Sequence, residues 1–150
     1  MDIHEQFMNL ALMQARSGLE QDEVPIGAVI VKDHSILAAA YNQTEMLADP
    51  TAHAEMIAIT QAAAALTSWR LIGCTLYTTL EPCPMCAGAI LNSRIRGIVY
   101  GLPDNKLGAC GSYYDICRDK KKNNLPIIIG NILEEDCKYI MDEFFRKLRK

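Results

Sequence analysis

The stretch CTLYTTLEPCPMCAGAIL, residues 74–91, changes its structural signal part-way along. Cys74 to Leu80 is a β-branched and aromatic run, which predicts a strand. Pro84 to Leu91 reads as a short helix, with proline suited to its first position and Cys83 near its N-cap. A strand feeding a helix is half of an α/β unit, and the join here carries chemistry. Cys83 and Cys86 are three residues apart, so on a helical turn their side chains share one side and can grip a single ion. The N-terminal end of that helix offers unpaired N–H groups and a partial positive charge, and both favour thiolate over thiol.

Upstream, His53-Ala54-Glu55 offers the complement. One imidazole and two thiolates fill three of the four positions that tetrahedral zinc prefers, which leaves the fourth to water, as in catalytic rather than structural sites. Residues two apart on a regular helix face away from each other. His53 and Glu55 can therefore share a site only if the helix entry is bent or the ion sits beyond its end, which places the site at helix N-termini. Glu55 can then stand beside the water without binding metal. Alone, Cys-x-x-Cys is more often a structural half-site or a redox pair, and His-x-Glu says almost nothing. No second Cys-x-x-Cys or His-rich stretch supplies a fourth ligand, so the two half-motifs together favour a catalytic site. Cys74, Cys110, Cys117 and Cys137 occur singly and read as buried thiols or surface cysteines, while His4 and His34 read as surface or turn residues.

The rest of the chain alternates apolar segments with short turn signals. Residues 2 to 17 carry Ile3, Phe7, Leu10 and Ala11 at helical spacing, with Gly18 as the stop. Ile26 to Val31 and Ile36 to Tyr41 read as a hairpin of largely buried strands around Lys32-Asp33-His34-Ser35. Pro50 to Ala65 reads as a second helix entered through Asp49-Pro50. Ile98 to Tyr100 and Pro126 to Ile129 are further strands. Asn131 with Glu134 resembles a helix start, and Leu133, Cys137, Ile140, Met141, Phe144 and Leu148 form one buried stripe. Strands separated by helices favour an α/β domain spanning 1–150 with a mostly parallel sheet covered on both faces.

The 150 residues carry a net charge of −3, which argues against a uniformly basic nucleic-acid coat. The distribution is uneven: residues 1–75 hold three basic and nine acidic side chains, residues 76–150 twelve and nine. Arg118, Lys120, Lys121, Lys122, Arg146, Lys147, Arg149 and Lys150 can form a local phosphate-binding face, or merely solvated helix ends. The N-terminus lacks a basic n-region and an apolar core, so the expectation is a cytoplasmic protein without a membrane span, its cysteines reduced.

His-x-Glu followed by Pro-Cys-x-x-Cys resembles the signature of the zinc-dependent nucleobase deaminases. Val24 to Val29, Asp49 to Glu55, Thr79 to Ala89, Gly108 to Ser112 and Phe144-Phe145-Arg146 are similar to the branch of that family that acts on adenosine in tRNA. The resemblance implies a three-layer α-β-α, cytidine-deaminase-like fold with a five-stranded mixed sheet, and a homodimer. It also implies conversion of adenosine to inosine at the wobble position of a tRNA anticodon. It makes His53, Cys83 and Cys86 ligands of one Zn2+ per subunit and Glu55 the proton shuttle. Asn42 would read the base, Ala54, Ile26 and Leu80 would line its pocket, and Asp104 and Phe145 would lie near the anticodon stem-loop. Asn124 stands where the family usually has histidine. The rival reading is a deaminase of a free base such as guanine or cytosine.

Overall fold

The computed structural model describes residues 2–119 and 125–149, so the run Lys120–Lys122 and the adjoining Asn123 and Asn124 lie outside the described residues. The elements run α1 (Ile3–Glu20), β1 (Gly27–Lys32), β2 (Ser35–Tyr41), α2 (Ala54–Leu66), β3 (Cys74–Leu80), α3 (Pro84–Asn92), β4 (Gly97–Leu102), a 3-10 turn at Ile116–Arg118, β5 (Ile127–Ile129) and α4 (Glu134–Leu148). The strands form one sheet in the order β2-β1-β3-β4-β5.

β1 is antiparallel to both β2 and β3, whereas β4 is parallel to β3 and β5. The sheet is therefore mixed and five-stranded, as the family resemblance implies, which corrects the mostly parallel arrangement that strand and helix alternation alone suggests. The cause is the hairpin. Asp33 and His34 both take positive φ, 50° and 64°, the two-residue mirror turn whose twist matches that of the flanking strands. β2 then lies at an edge with Ile36 and Ala39 exposed, not largely buried as its composition suggests.

Strand side chains alternate between faces, and the core divides accordingly. Ala28, Ile30, Leu76 and Ile98 pack with Ala54, Ala58 and Ala62 of α2 and Ala87 and Ile90 of α3. Val29, Val31, Tyr77 and Val99 pack with Phe7, Met8 and Ala11 of α1 and Cys137 of α4. This makes three layers, α2 and α3 on one side, α1 and α4 on the other. A strand such as β1, covered on both faces, reads as a continuous apolar run because every position is buried. Gly27 shows how closely α1 approaches the sheet: a Cβ there would lie 1.9 Å from the Ala11 carbonyl oxygen.

Several boundaries differ from expectation for local reasons. α1 passes through Gly18, whose small size admits Tyr41, since a Cβ would stand 3.2 Å from the tyrosine ring. Asp2 caps that helix by accepting the Glu5 N–H at 2.8 Å. α2 begins at Ala54, not at Pro50, because Asp49 Oδ1 accepts both the N–H and the hydroxyl of Thr51 and closes a turn first. β4 is longer than Ile98–Tyr100, and Pro126 stays outside β5. Asn131 Nδ2 does donate to Glu134 at 2.7 Å, yet Leu133, in the left-handed region, takes the N-cap of α4. Within the expected stripe Cys137, Ile140 and Phe144 are buried, while Leu148 is exposed. His4 is half-buried, its Nδ1 2.9 Å from the Tyr77 hydroxyl, so it is more than a surface residue.

Candidate active site

The site lies at the carboxyl ends of the parallel strands β3 and β4, where α/β sheets characteristically hold ligands. Two helices on the same layer begin there. His53 is the N-cap of α2, with extended backbone (φ −73°, ψ 151°), and Cys83 is the N-cap of α3 (φ −77°, ψ 173°). Neither side chain caps its own helix, so both are free to turn outward. This resolves the two-residue spacing: His53 precedes the helix and Glu55 lies in its first turn, so the facing rule for regular helix does not apply between them. Pro84 and Met85 lead to Cys86, which returns to the same side as Cys83.

His53 Nδ1 stands 3.6 Å from Cys83 Sγ and 3.5 Å from Cys86 Sγ. The three side chains form a group that could hold a metal ion, with ligand atoms all within 4.8 Å of one another. Bonds of about 2.3 Å to sulfur and about 2.0 Å to nitrogen at a tetrahedral angle require a nitrogen-to-sulfur separation of about 3.5 Å. The donors thus have tetrahedral spacing.

The electrostatics point the same way. A hydrogen bond from the Cys86 thiol is the chief influence that brings the Cys83 thiol down to about 4, with His53 helping against the effect of burial. The reverse side of that bond, with burial, raises Cys86. His53 is raised, first by its bond to Cys83. Glu55 is 4% exposed, its Oε1 has no hydrogen-bond partner, and burial raises its carboxyl above the usual range. A buried, unpartnered carboxylate oxygen costs stability, and its presence beside three atoms that could hold a metal marks a candidate functional position.

Asn42 is buried just past β2. Its N–H donates to the Ile26 carbonyl at 3.0 Å and its Nδ2 to Thr44 Oγ1 at 3.4 Å. Ile26 packs against the core cluster that contains Ala54, and Leu80 ends β3 half-buried. Asp104 is engaged in its own turn, its Oδ1 accepting from the N–H groups of Lys106 and Leu107. Phe145 is exposed on α4, in the layer across the sheet from α2 and α3, its ring edge-on to Phe144 at 5.5 Å. Phe144 packs with Ala15 and Leu19 of α1, whose end adjoins Tyr41, so Phe145 stands at the same end of the sheet as His53 and Cys83.

Two acids escape notice in the sequence. Glu23, 1% exposed, accepts the Glu45 and Met46 N–H groups at 3.1 and 2.6 Å and so shapes the loop after Asn42. Glu81, 2% exposed, does the same for the loop 104–112. The only sequence signal for Glu81 is an acid closing an apolar strand, which must be hydrogen-bonded if it is buried. Cys74, Cys110, Cys117 and Cys137 are free and buried.

Residues 2–149 match the MafB19-like deaminase family. The chain is 44% identical over 146 residues to the tRNA-specific adenosine deaminase of Bacillus subtilis (strain 168), covering 97% of this chain and 91% of that protein. The chain belongs to this deaminase family. A solved structure from work on A-to-I editing by tRNA:A34 deaminases at the wobble position is similar with a TM-score of 0.86 at 45% identity, over 90% of this chain and 98% of that one. The guanine deaminase of Bacillus subtilis is 40% identical with a TM-score of 0.66, over 77% of this chain and 72% of that one. The architecture is therefore cytidine-deaminase-like, and this deaminase is an enzyme acting on a C–N bond. Among its described residues no helix is long and apolar enough to cross a membrane.

Proposed function

We propose that the chain, as one domain, hydrolyses adenosine to inosine at the wobble position of a tRNA anticodon, with one zinc ion held by His53, Cys83 and Cys86. The observation that carries the reading is the His53, Cys83 and Cys86 cluster at tetrahedral spacing beside a buried, unpartnered Glu55. Mixed sulfur and nitrogen donors suit zinc. When bound in such a site, zinc makes water acidic enough, with a pKa of about 7, to serve as a nucleophile at neutral pH.

The chain's own groups supply the rest. Glu55 accepts a proton from the attacking water and delivers it to N1 of the ring while a C–O bond forms at C6. It then carries the remaining hydroxyl proton to the amine as the C–N bond breaks. Water and the 6-aminopurine thus become the 6-oxopurine and ammonia. Asn42, with the Ala54 backbone, Ile26 and Leu80, forms the base pocket, and Asp104 and Phe145 meet the anticodon loop. The target base must leave its stack to enter, and that costs least in a single-stranded loop. A homodimer in the cytoplasm is the expected assembly and setting.

Similarity to a guanine deaminase favours a second reading, hydrolysis of a free base. Incubation of the zinc-loaded protein with an anticodon stem-loop carrying wobble adenosine, followed by sequencing, tests both, since inosine reads as guanosine. The expected result is conversion at that position alone. Ammonia released only from free guanine or cytosine overturns the assignment.

A further inference from the structure

The proposed chemistry leaves Glu81 without a task, although it stands two residues before Cys83. Its Oε1 accepts the Asp104 N–H at 3.1 Å and a bond from the Ser112 hydroxyl, and its Oε2 accepts the N–H groups of Cys110 and Ser112 at 2.9 and 3.2 Å. Four donors of one loop therefore end on a single carboxylate. The loop is also held to the ligand turn itself, since Ala109 donates to the Pro82 carbonyl at 2.8 Å. Only glycine fits at 108, where a Cβ would lie 2.5 Å from Glu81 Cδ.

Tyr113 and Tyr114 follow this clamped loop directly. Both N–H groups donate to the Gly108 carbonyl, at 3.1 and 2.8 Å, and Gly111 donates back to Tyr114 at 2.9 Å. The two residues are 62% and 42% exposed, and their rings meet edge-on at 4.7 Å. Exposed aromatic faces next to a loop tied to the turn before Cys83 suit stacking with bases that have left their helix.

We propose that Glu81 is a positioning residue that locks the 104–112 loop against the Cys83 turn, so that Tyr113 and Tyr114 stand ready to stack on bases flanking the target adenosine. The inference rests on the tRNA reading. Glu81→Gln puts an amide donor where donors already converge, leaving N–H groups without an acceptor.

The test uses the zinc-loaded, full-length protein. In Glu81→Gln, amide exchange at Asp104, Cys110 and Ser112 accelerates about 10-fold or more relative to β3, while zinc content is unchanged. KM for a synthetic anticodon stem-loop rises about 10-fold with kcat changed less than about 3-fold. Tyr113→Ala with Tyr114→Ala raises KM similarly without faster exchange at those three amides. Ile140→Val, a core change in α4, lowers the melting temperature but does neither. Unchanged exchange, unchanged KM, zinc loss, or an equal KM rise in Ile140→Val overturns the inference. Should Glu81→Gln not fold, Ser112→Ala removes the hydroxyl bond alone and gives the same signs at smaller size, and no change overturns the inference. If the wild type forms no inosine, the tRNA reading fails, while the exchange measurement still decides the clamp separately.

Discussion

Glu55 is held where no structural need explains it, buried with one oxygen unpartnered. Replacing it by glutamine keeps size and metal binding but removes the proton carrier. Glu55→Gln should retain one zinc per chain by metal analysis and lose about 10²- to 10⁴-fold in kcat. A variant with full zinc and undiminished turnover would end the proposed role. Cys137 offers a residue-scale test remote from the site. Burial, with Asp136 and Glu134 adding, pushes its thiol from 9.0 up to about 12. The unfolded chain thus ionises first, so the contribution of this thiol to stability is intact below about pH 9 and is lost as pH rises toward about 12, by at most about 1.4 kcal/mol per unit. Denaturant melts between about pH 9 and pH 11 should fall less steeply for Cys137→Ala than for the wild type, whatever the variant's absolute stability.

At the scale of elements, the site is made by two helix starts. His53 and Cys83 are both N-caps that leave their own helices uncapped by a side chain, giving up about 1 kcal/mol of capping each and leaving both side chains in the group that could hold a metal. Much of this was legible: Cys83 near an N-cap, Pro84 behind it, and a location at helix N-termini all follow from short-range rules. The start of α2 was not. Asp49-Pro50 carries a valid start signal, but the Asx turn onto Thr51 uses it up. The sheet-facing side of α1 also depends on an element far away in sequence, since Gly27 sits against the Ala11 carbonyl. Gly27→Ala should therefore push α1 from β1 and cost about 1–3 kcal/mol or more in chemical denaturation, whereas an equal melting midpoint would show that the contact yields freely.

For the whole molecule, the ion would join α2 to α3, elements thirty residues apart at their ligands. Chelation should abolish deamination and lower the melting temperature by about 10 °C, both restored by zinc, because ligand binding to the native state adds to stability at about 2–4 °C per kcal/mol in a chain of this size. An activity that survives complete metal removal would rule out the proposed chemistry.

What the sequence determined by itself is what neighbours along the chain determine: the strand at Cys74–Leu80, the helix behind Pro84, the helical period of α4 and the three residues that could hold a metal. Local backbone preference and side-chain period set these. Only the tertiary structure decided which strands of the mixed sheet run parallel, that Asn42 is buried beside Ile26, and that Glu23 and Glu81 bind loops lying more than twenty residues downstream. Strand direction depends on which edges meet, and a buried acid depends on which donors surround it. Both are settled by pairings between distant segments, for which no short window of residues holds the information.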